Sequence, residues 1–177
     1  RLPGATPWQS LFNGSSFDGW SVLQPDQAKW RIESGELVAE DGNGYLVTER
    51  EFENFELQLY VKSSHHANGG VFCRWKSLVP KVRGFEIQIE DILDSNNPTG
   101  SIYDRVRADV LPFTPGEWVL MQILVDGPRC VVRVNGTTVA ESSTIDVLHA
   151  GHVSLQMHSR GSWIRFRDIR VRELGPQ

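Results

Sequence analysis

The chain has 177 residues, 40% of them hydrophobic and 10% aromatic, and its 18 basic and 22 acidic residues give a net charge of −4. This length fits one domain with a substantial core, and the even spread of charge argues against nucleic acid as a partner. No apolar stretch approaches the roughly 20 residues that cross a bilayer, so no membrane insertion is expected. The oligomeric state stays open.

Short strand-like segments, separated by turn dipeptides, follow one another along the chain. The segments alternate or are rich in β-branched and aromatic residues, as strands are. In chain order they are 36–38, 55–61, 70–75, 85–92, 118–125, 130–134, 152–158 and 164–171. The dipeptides, whose residues tolerate a positive φ, are Asn13-Gly14, Asp18-Gly19, Asp41-Gly42, Asn43-Gly44, Asp126-Gly127 and Asn135-Gly136.

Helical patterns are missing from the sequence. No window of 11 or more residues has a convincing apolar period of 3.6, and the βαβ pattern of a parallel sheet does not occur. The sequence therefore predicts one all-β domain over residues 1–177, a jelly-roll sandwich of two antiparallel sheets. The longest polar connection, 94–115, is predicted to be a long loop of the kind that carries function, and Pro80 and Lys81 mark a second loop.

Side chains alternate across a strand, so three of the segments divide into a core face and an opposite face. The pattern places on the core face Val71, Cys73, Phe85, Ile87, Ile89, Val153, Leu155 and Met157. It places on the opposite face Phe72, Arg74, Glu86, Gln88, Glu90, Ser154, Gln156 and His158.

The opposite face is rich in groups that bind sugars. Carboxylate, guanidinium and amide groups match sugar hydroxyls as acceptors and donors, and rigid strands position them well. A solvated face of an antiparallel sheet has the same alternation, so the pattern alone also fits a face with no ligand. Trp75 and Trp163 are the tryptophans that we expect to stack on sugar rings.

Neither a cofactor nor a metal is expected, because the five histidines lack a metal-ligand spacing. Cys73 and Cys130 lie in apolar strand-like segments that fit two buried thiols or one disulfide, and we favour free thiols. The Pro-rich start without Met is typical of the trimmed edge of a longer precursor, so a periplasmic or secreted location is expected.

Nine short motifs occur in an order that resembles the 3-keto-disaccharide hydrolase domain family. They are LFNGSSFDGW at 11–20, Trp30 followed by SGELV, NGGVFCR at 68–74, GFEIQIED at 84–91, TGSIYD at 99–104, PGEW at 115–118, VNG at 134–136, GHVSLQMH at 151–158 and RFRDI at 165–169. No single motif is specific, but their order and spacing run almost end to end. The resemblance implies the concanavalin A-like jelly roll shared by laminarinase-type glucanases and legume lectins.

The same resemblance implies a set of polar site residues and a carbohydrate substrate. The positions are Arg74, Glu86, Gln88, Asp91, Tyr103, Gln156 and His158. Alternation places Asp91 on the face opposite to Glu86, so Asp91 is expected to support the strand end or the following loop.

If the family activity transfers, the substrate is a glycoside already oxidised to a ketone at C3. The ketone acidifies the C2 proton, so a base removes it and the glycosidic oxygen leaves C1 by elimination; water is added later. We hypothesise Glu86 as the base and His158 as the acid toward the leaving group, with Arg74 and Gln88 stabilising the enolate oxygen.

Two other functions fit the sequence. Glu86-Ile-Gln-Ile-Glu90 is similar to the E-x-D-x-E strand of retaining jelly-roll glucanases, with Gln88 in place of the central Asp. A non-catalytic carbohydrate-binding or interaction module is the other, because the same sandwich hosts lectins.

Overall fold

A computed structural model describes residues 4–23, 27–76, 84–92, 94–109 and 114–175. Over these ranges the regular structure is entirely strand, without an α-helix, and none of it offers a helix long and apolar enough to span a membrane. The strands are β1 (Gln9–Ser10), β2 (Trp20–Leu23), β3 (Lys29–Glu33), β4 (Glu36–Phe52), β5 (Phe55–Ser63), β6 (Asn68–Trp75), β7 (Phe85–Glu90), β8 (Val119–Asp126), β9 (Arg129–Val134), β10 (Thr137–Ser142) and β11 (Gly151–Glu173).

The strands form the two antiparallel layers of a jelly roll, as predicted. In the front sheet β7 pairs with β6, β6 with the first half of β11, that half with the second half of β4, and β4 with β2. In the back sheet β3, the first half of β4, the second half of β11, β5, β8, β9 and β10 pair in that order. The short β1 joins the back sheet along β11.

Two long strands connect the layers by bending at the same level. In β4 the bend lies at Asp41-Gly42, whose φ angles are 52° and 130°, and in β11 it lies near Gly161, whose φ is 70°. The register between the strands shifts there, and the Gly161 amide donates to Asp41 Oδ1 at 3.3 Å. The prediction of turns at Asp41-Gly42 and Asn43-Gly44 is therefore wrong: these residues bend one continuous strand, because positive φ serves a bend as well as a hairpin.

The core lies between the sheets and has the predicted composition. Phe85, Ile87, Ile89, Val153, Leu155 and Met157 are all buried there, as are Val71 and Cys73. Period-two alternation thus holds in β7 and in the first half of β11. Cys73 and Cys130 are both free and buried, and burial raises the pKa of the Cys130 thiol to about 12.

Within the loop predicted at 94–115, the described residues 94–109 return to the front sheet. Ile102 forms a bridge with Ile87, and the Tyr103 amide donates to the Glu86 carbonyl at 2.9 Å. This segment therefore extends the front sheet beyond β7. The second predicted loop, at Pro80 and Lys81, lies outside the described residues.

Candidate functional site

The face of the front sheet that points away from the core, here called the front face, is organised in rows by the strand register. One row joins Glu86 of β7, Phe72 of β6 and Ser154 of β11. The next row joins Gln88, Gly70, Gln156 and Tyr45. The register therefore brings the predicted residues Glu86, Gln88 and Gln156 to one part of the face.

Glu86 lies across the surface left free by Gly70. A Cβ at Gly70 would be 2.1 Å from Glu86 Oε1 and 2.8 Å from its Cδ and Cγ. The carboxyl therefore leans from its own row into the next row, toward Gln156. Gly70 does not have a positive φ. Its importance here is that it lacks a side chain, which lets Glu86 approach β6 closely.

The surroundings of Glu86 favour its neutral form. Loss of solvation is the largest cause, and the charges of Glu90 and Asp104 add to it, so that the pKa rises from 4.5 to about 8. A carboxyl that titrates near neutral pH is typical of groups that transfer protons in enzymes.

Gln88 and Glu90 continue the polar side of β7. Gln88 Nε2 donates to Asn68 Oδ1 at 3.3 Å, and Asn68 Nδ2 donates to Glu90 Oε1 at 3.2 Å. Ser95 Oγ donates to the other oxygen of Glu90. Glu90 is thus held by Asn68 and Ser95, whereas Glu86 extends over Gly70.

An aromatic cluster, whose Tyr45 the sequence analysis missed, forms one wall of the site. Tyr45 packs on Phe72 and Trp75, with ring centroids 5.9 and 6.3 Å apart, and Gln156 Nε2 donates to the Tyr45 hydroxyl at 3.2 Å. Burial raises the pKa of Tyr45 against the lowering effect of Gln156, and the charge of Glu86 raises it further. The alternation in Tyr45-Leu46-Val47 indicates a strand with Tyr45 on the face opposite to the core, but the preceding Asn43-Gly44 pair was interpreted as a turn.

Several buried polar atoms of this face have no hydrogen-bond partner among the described residues. They include Gln88 Oε1, Ser154 Oγ and Trp75 Nε1. An unpaired buried polar group costs roughly 1–3 kcal/mol, so these atoms mark the part of the front face where partners are lacking. The predicted stacking residue Trp75 is on this face, 5% exposed within the aromatic cluster.

Arg74 was predicted on this face, and the structure places its side chain elsewhere. Arg74 has a φ of 53°, and the β6–β11 register shifts beside it, so Trp75 instead of Arg74 joins Phe72 on the front face. The Arg74 guanidinium is fully buried and donates to the carbonyls of Glu53, Gly127 and Val147 and to Asn54 Oδ1, at 2.5 to 3.1 Å. The prediction of Arg74 as an enolate stabiliser is wrong, because a bulge interrupts the alternation.

We expect Arg74→Met to destabilise the fold strongly. The substitution leaves several buried acceptors without a donor, and a change of this kind costs about 3–5 kcal/mol. Urea denaturation of Arg31→Met supplies the control, because Arg31 is an exposed partner of Glu40 and its loss costs under about 1 kcal/mol. Equal midpoints for the two variants would contradict a structural role for Arg74.

The remaining predicted residues lie around or away from the site. Tyr103 pairs with Glu86 across the edge of β7 and is 43% exposed, so it lies at the rim on the Glu86 side. His158 is exposed and lies one row beyond Gln156, where it lines a 440 Å³ cavity with Lys29 and Asn43.

Besides Arg74, two predicted residues are not brought to Glu86. Asp91 follows the end of β7, with its Oδ2 atom 3.7 Å from His65 Nδ1, and burial raises its pKa. This position fits the expected support of the strand end. Trp163 lies in the back-sheet half of β11, opposite Glu40, with the Arg165 guanidinium 5.5 Å from its ring. It is remote from the front face because β11 has bent between His158 and Trp163.

Comparison with known proteins supports a carbohydrate-active function. The sequence model of the 3-keto-alpha-glucoside-1,2-lyase-like domain matches residues 7–172. A 3-keto-disaccharide hydrolase of Bacteroides thetaiotaomicron is 26% identical, with the match covering 98% of this chain and 81% of that protein. A crystal structure of a candidate glycosyl hydrolase from Parabacteroides distasonis has a TM-score of 0.81 and 26% identity, and covers 96% of this chain and 100% of that one.

The fold itself is shared more widely. A β-glucanase of Bacillus licheniformis has a TM-score of 0.68 at 11% identity, covering 99% of this chain and 100% of that one. Its likeness shows the concanavalin-like jelly roll alone. The family is given by the sequence match over residues 7–172: the chain belongs to the 3-keto-alpha-glucoside-1,2-lyase-like domain family.

Proposed function

We propose that this protein cleaves the glycosidic bond of 3-keto-glycosides by elimination, followed by addition of water, with Glu86 as the base. The observation that carries the proposal is the carboxyl of Glu86, which lies over Gly70 on the front face with a pKa raised to about 8. A carboxylate with a raised pKa is a stronger base than an ordinary one, so it is better suited to a proton on carbon.

The ketone makes this chemistry accessible to one carboxylate. Glu86 takes the proton from C2, which is acidic because the C3 carbonyl delocalises the resulting charge as an enolate. The enolate then re-forms the carbonyl, a C1–C2 double bond forms, and the glycosidic oxygen leaves C1 with the bonding pair. Addition of water to C1, with return of the proton to C2, gives the hydrolysis product.

The binding side of the proposal uses the polar atoms beside Glu86. Three of these atoms pair with no other described residue: the acceptor Gln88 Oε1 and the donors Ser154 Oγ and Trp75 Nε1–H. Donors fixed in a water-poor site stabilise a developing oxyanion better than water does. We assign the stabilisation of the enolate oxygen to Ser154 and Trp75 in place of Arg74, and the orientation of a sugar hydroxyl to Gln88. Because these side chains are buried, this assignment requires the face to open locally when the substrate binds.

We expect kcat/KM to rise with pH and to level off above about 8. A base must be ionised to accept a proton, and with a pKa of about 8 only about a tenth of Glu86 is ionised at pH 7. Since the Glu90 charge helps to raise this pKa, Glu90→Gln should shift the midpoint to lower pH. A profile that instead falls through pH 8 would assign Glu86 to the acid role.

The direct test is aglycone release from a chromogenic 3-keto-glucoside, measured beside the unoxidised glucoside and an unoxidised β-glucan. Cleavage restricted to the keto substrate supports elimination. Hydrolysis of the β-glucan would favour a retaining mechanism that uses Glu86 and Glu90. Binding of the sugars without cleavage of any of them would favour a carbohydrate-binding module.

A further inference from the structure

The proposed elimination needs a second group, which gives a proton to the glycosidic oxygen as it leaves. A phenol leaving group departs readily as an anion, but an alcohol or a second sugar does not. Among the described residues we compare two groups for this role, Tyr45 in the aromatic cluster and His158 at the adjoining cavity. Their surroundings differ in burial and in position relative to Glu86.

The hydroxyl of Tyr45 is connected through Gln156 to the row over which the Glu86 carboxyl lies, and the charge of Glu86 raises the pKa of Tyr45. Glu86 Oε1 lies over Gly70, Gly70 is paired with Gln156, and Gln156 Nε2 donates to the Tyr45 oxygen at 3.2 Å. Adjacent strands are about 4.8 Å apart, so two strand spacings separate Gly70 from Tyr45. Gln156 lies between them in this row, so a glycoside bound over Gln156 has the Glu86 carboxyl on one side and the Tyr45 hydroxyl on the other.

The hydrogen bond from Gln156 also sets which way the Tyr45 proton is offered. Because the Tyr45 oxygen accepts from Gln156, its own O–H remains to donate, and the described residues provide no acceptor for it. Burial disfavours the phenolate, so the hydroxyl keeps its proton until a strong acceptor forms, while the Gln156 amide stabilises the phenolate after transfer. Packing on Phe72 and Trp75 fixes the ring.

His158 is less well placed for this task. It is exposed, lies one row further along β11 than Gln156, and borders the cavity lined by Lys29, Asp41 and Asn43. From that position an exposed side chain contacts the aglycone more readily than the glycosidic oxygen that must be protonated.

We propose that Tyr45 is the general acid that protonates the leaving glycosidic oxygen, with Gln156 positioning its hydroxyl; this inference rests on the proposed elimination. In the forward step Glu86 carboxylate accepts the C2 proton and Tyr45 O–H gives its proton to the oxygen leaving C1, so an alcohol and a 3-keto enone are formed. In the hydration step water gives a proton to the Tyr45 phenolate, its oxygen bonds to C1, and Glu86 returns a proton to C2. Both side chains are then back in their starting states.

The test is the dependence of Tyr45→Phe on the leaving group. We compare kcat/KM on para-nitrophenyl 3-keto-glucoside, whose phenol leaves without help, and on methyl 3-keto-glucoside, whose alcohol requires a proton. General acid catalysis contributes on the order of 10²–10⁴-fold, so the methyl substrate should lose about 10²-fold or more and the para-nitrophenyl substrate less than about fivefold. Tyr60→Phe is the matched control, because Tyr60 belongs to the back sheet beside Arg167.

Gln156→Leu tests the same proton without altering the aromatic ring. Loss of the amide raises the pKa of the phenol, so it should reduce turnover of the methyl substrate about tenfold more than turnover of the para-nitrophenyl substrate. An equal loss on both substrates in Tyr45→Phe would overturn the assignment of Tyr45 as the acid but not the elimination itself. A leaving-group-dependent loss in His158→Ala, and not in Tyr45→Phe, would have the same meaning. Wild-type protein that cleaves neither keto-glucoside would overturn the elimination and the acid together.

Discussion

Glu86→Gln should abolish cleavage of a 3-keto-glucoside while making the protein more stable. The amide has nearly the shape of the carboxyl but does not accept the C2 proton, and loss of an essential base lowers kcat by roughly 10²–10⁴-fold. The matched control is Glu90→Gln, four residues along the same face of β7, where Asn68 and Ser95 hold the carboxyl; it should keep the activity and only move its pH midpoint downward. Full activity of Glu86→Gln on a keto-glucoside would remove Glu86 from the mechanism.

The expected gain in stability has a definite pH dependence. The carboxyl of Glu86 has a pKa of about 8 in the folded protein against 4.5 when unperturbed, so in that interval the unfolded chain releases a proton that the folded protein retains. Ionisation in the unfolded state therefore lowers the free energy of unfolding from pH 4.5 upward, and the loss is complete above pH 8. At pH 7 this loss of unfolding free energy is on the order of 3 kcal/mol, and Glu86→Gln should abolish it because glutamine does not ionise.

Urea denaturation of wild type and Glu86→Gln at pH 4.5, 7 and 8.5 checks this sign. The two unfolding curves should nearly coincide at the lowest pH and separate as the pH rises, with the variant more stable. A gap that narrows with rising pH would mean that the folded protein ionises Glu86 more readily than the unfolded chain. Higher stability combined with lost activity is the trade-off expected of a buried catalytic carboxyl.

Gly70→Ala should impair catalysis far more than folding. The new Cβ would lie 2.1 Å from Glu86 Oε1, and the atoms that it meets belong to the end of a side chain that can turn away. Displacement of a catalytic group by about 1 Å costs on the order of 10²-fold in rate, so kcat/KM should fall by about that factor. The unfolding midpoint should change little.

Gly69→Ala is the control on the neighbouring residue and should show the opposite pattern. Its Cβ would lie 2.3 Å from the Gln156 carbonyl oxygen and 2.6 Å from Ile164 Cδ1, on the core side of β6. Neither backbone nor packed core yields as readily, so overpacking should cost about 1–3 kcal/mol of stability. Wild-type kcat/KM in Gly70→Ala would show that Glu86 acts from a different position than the one over Gly70.

Alternation along uninterrupted strands was sufficient to place part of the site. Glu86, Gln88 and Gln156 follow from the pattern because an extended chain repeats every two residues whatever it packs against. The core positions Ile87 and Leu155 follow from the same rule, and both are fully buried.

The sequence was misleading where a residue adopts a left-handed conformation. Arg74, with φ of 53°, turns its guanidinium toward backbone carbonyls and lets Trp75 take its place on the front face. Asp41-Gly42 has the composition of a hairpin turn but bends β4, so Tyr45 enters the front sheet. A positive φ is compatible with a turn, a bulge or a bend, and local sequence does not distinguish between them.

The sequence by itself thus determined the all-β class, and the core face and polar residues of β7 and of the first half of β11. Only the tertiary structure decided that Glu86 lies over Gly70, that Tyr45 joins it through Gln156, and that Arg74 and Trp163 are elsewhere. The physical reason is the range of the interactions. Alternation is local, whereas the approach of Glu86 to Gly70 and of Gln156 to Tyr45 depends on the pairing of strands that are distant in sequence.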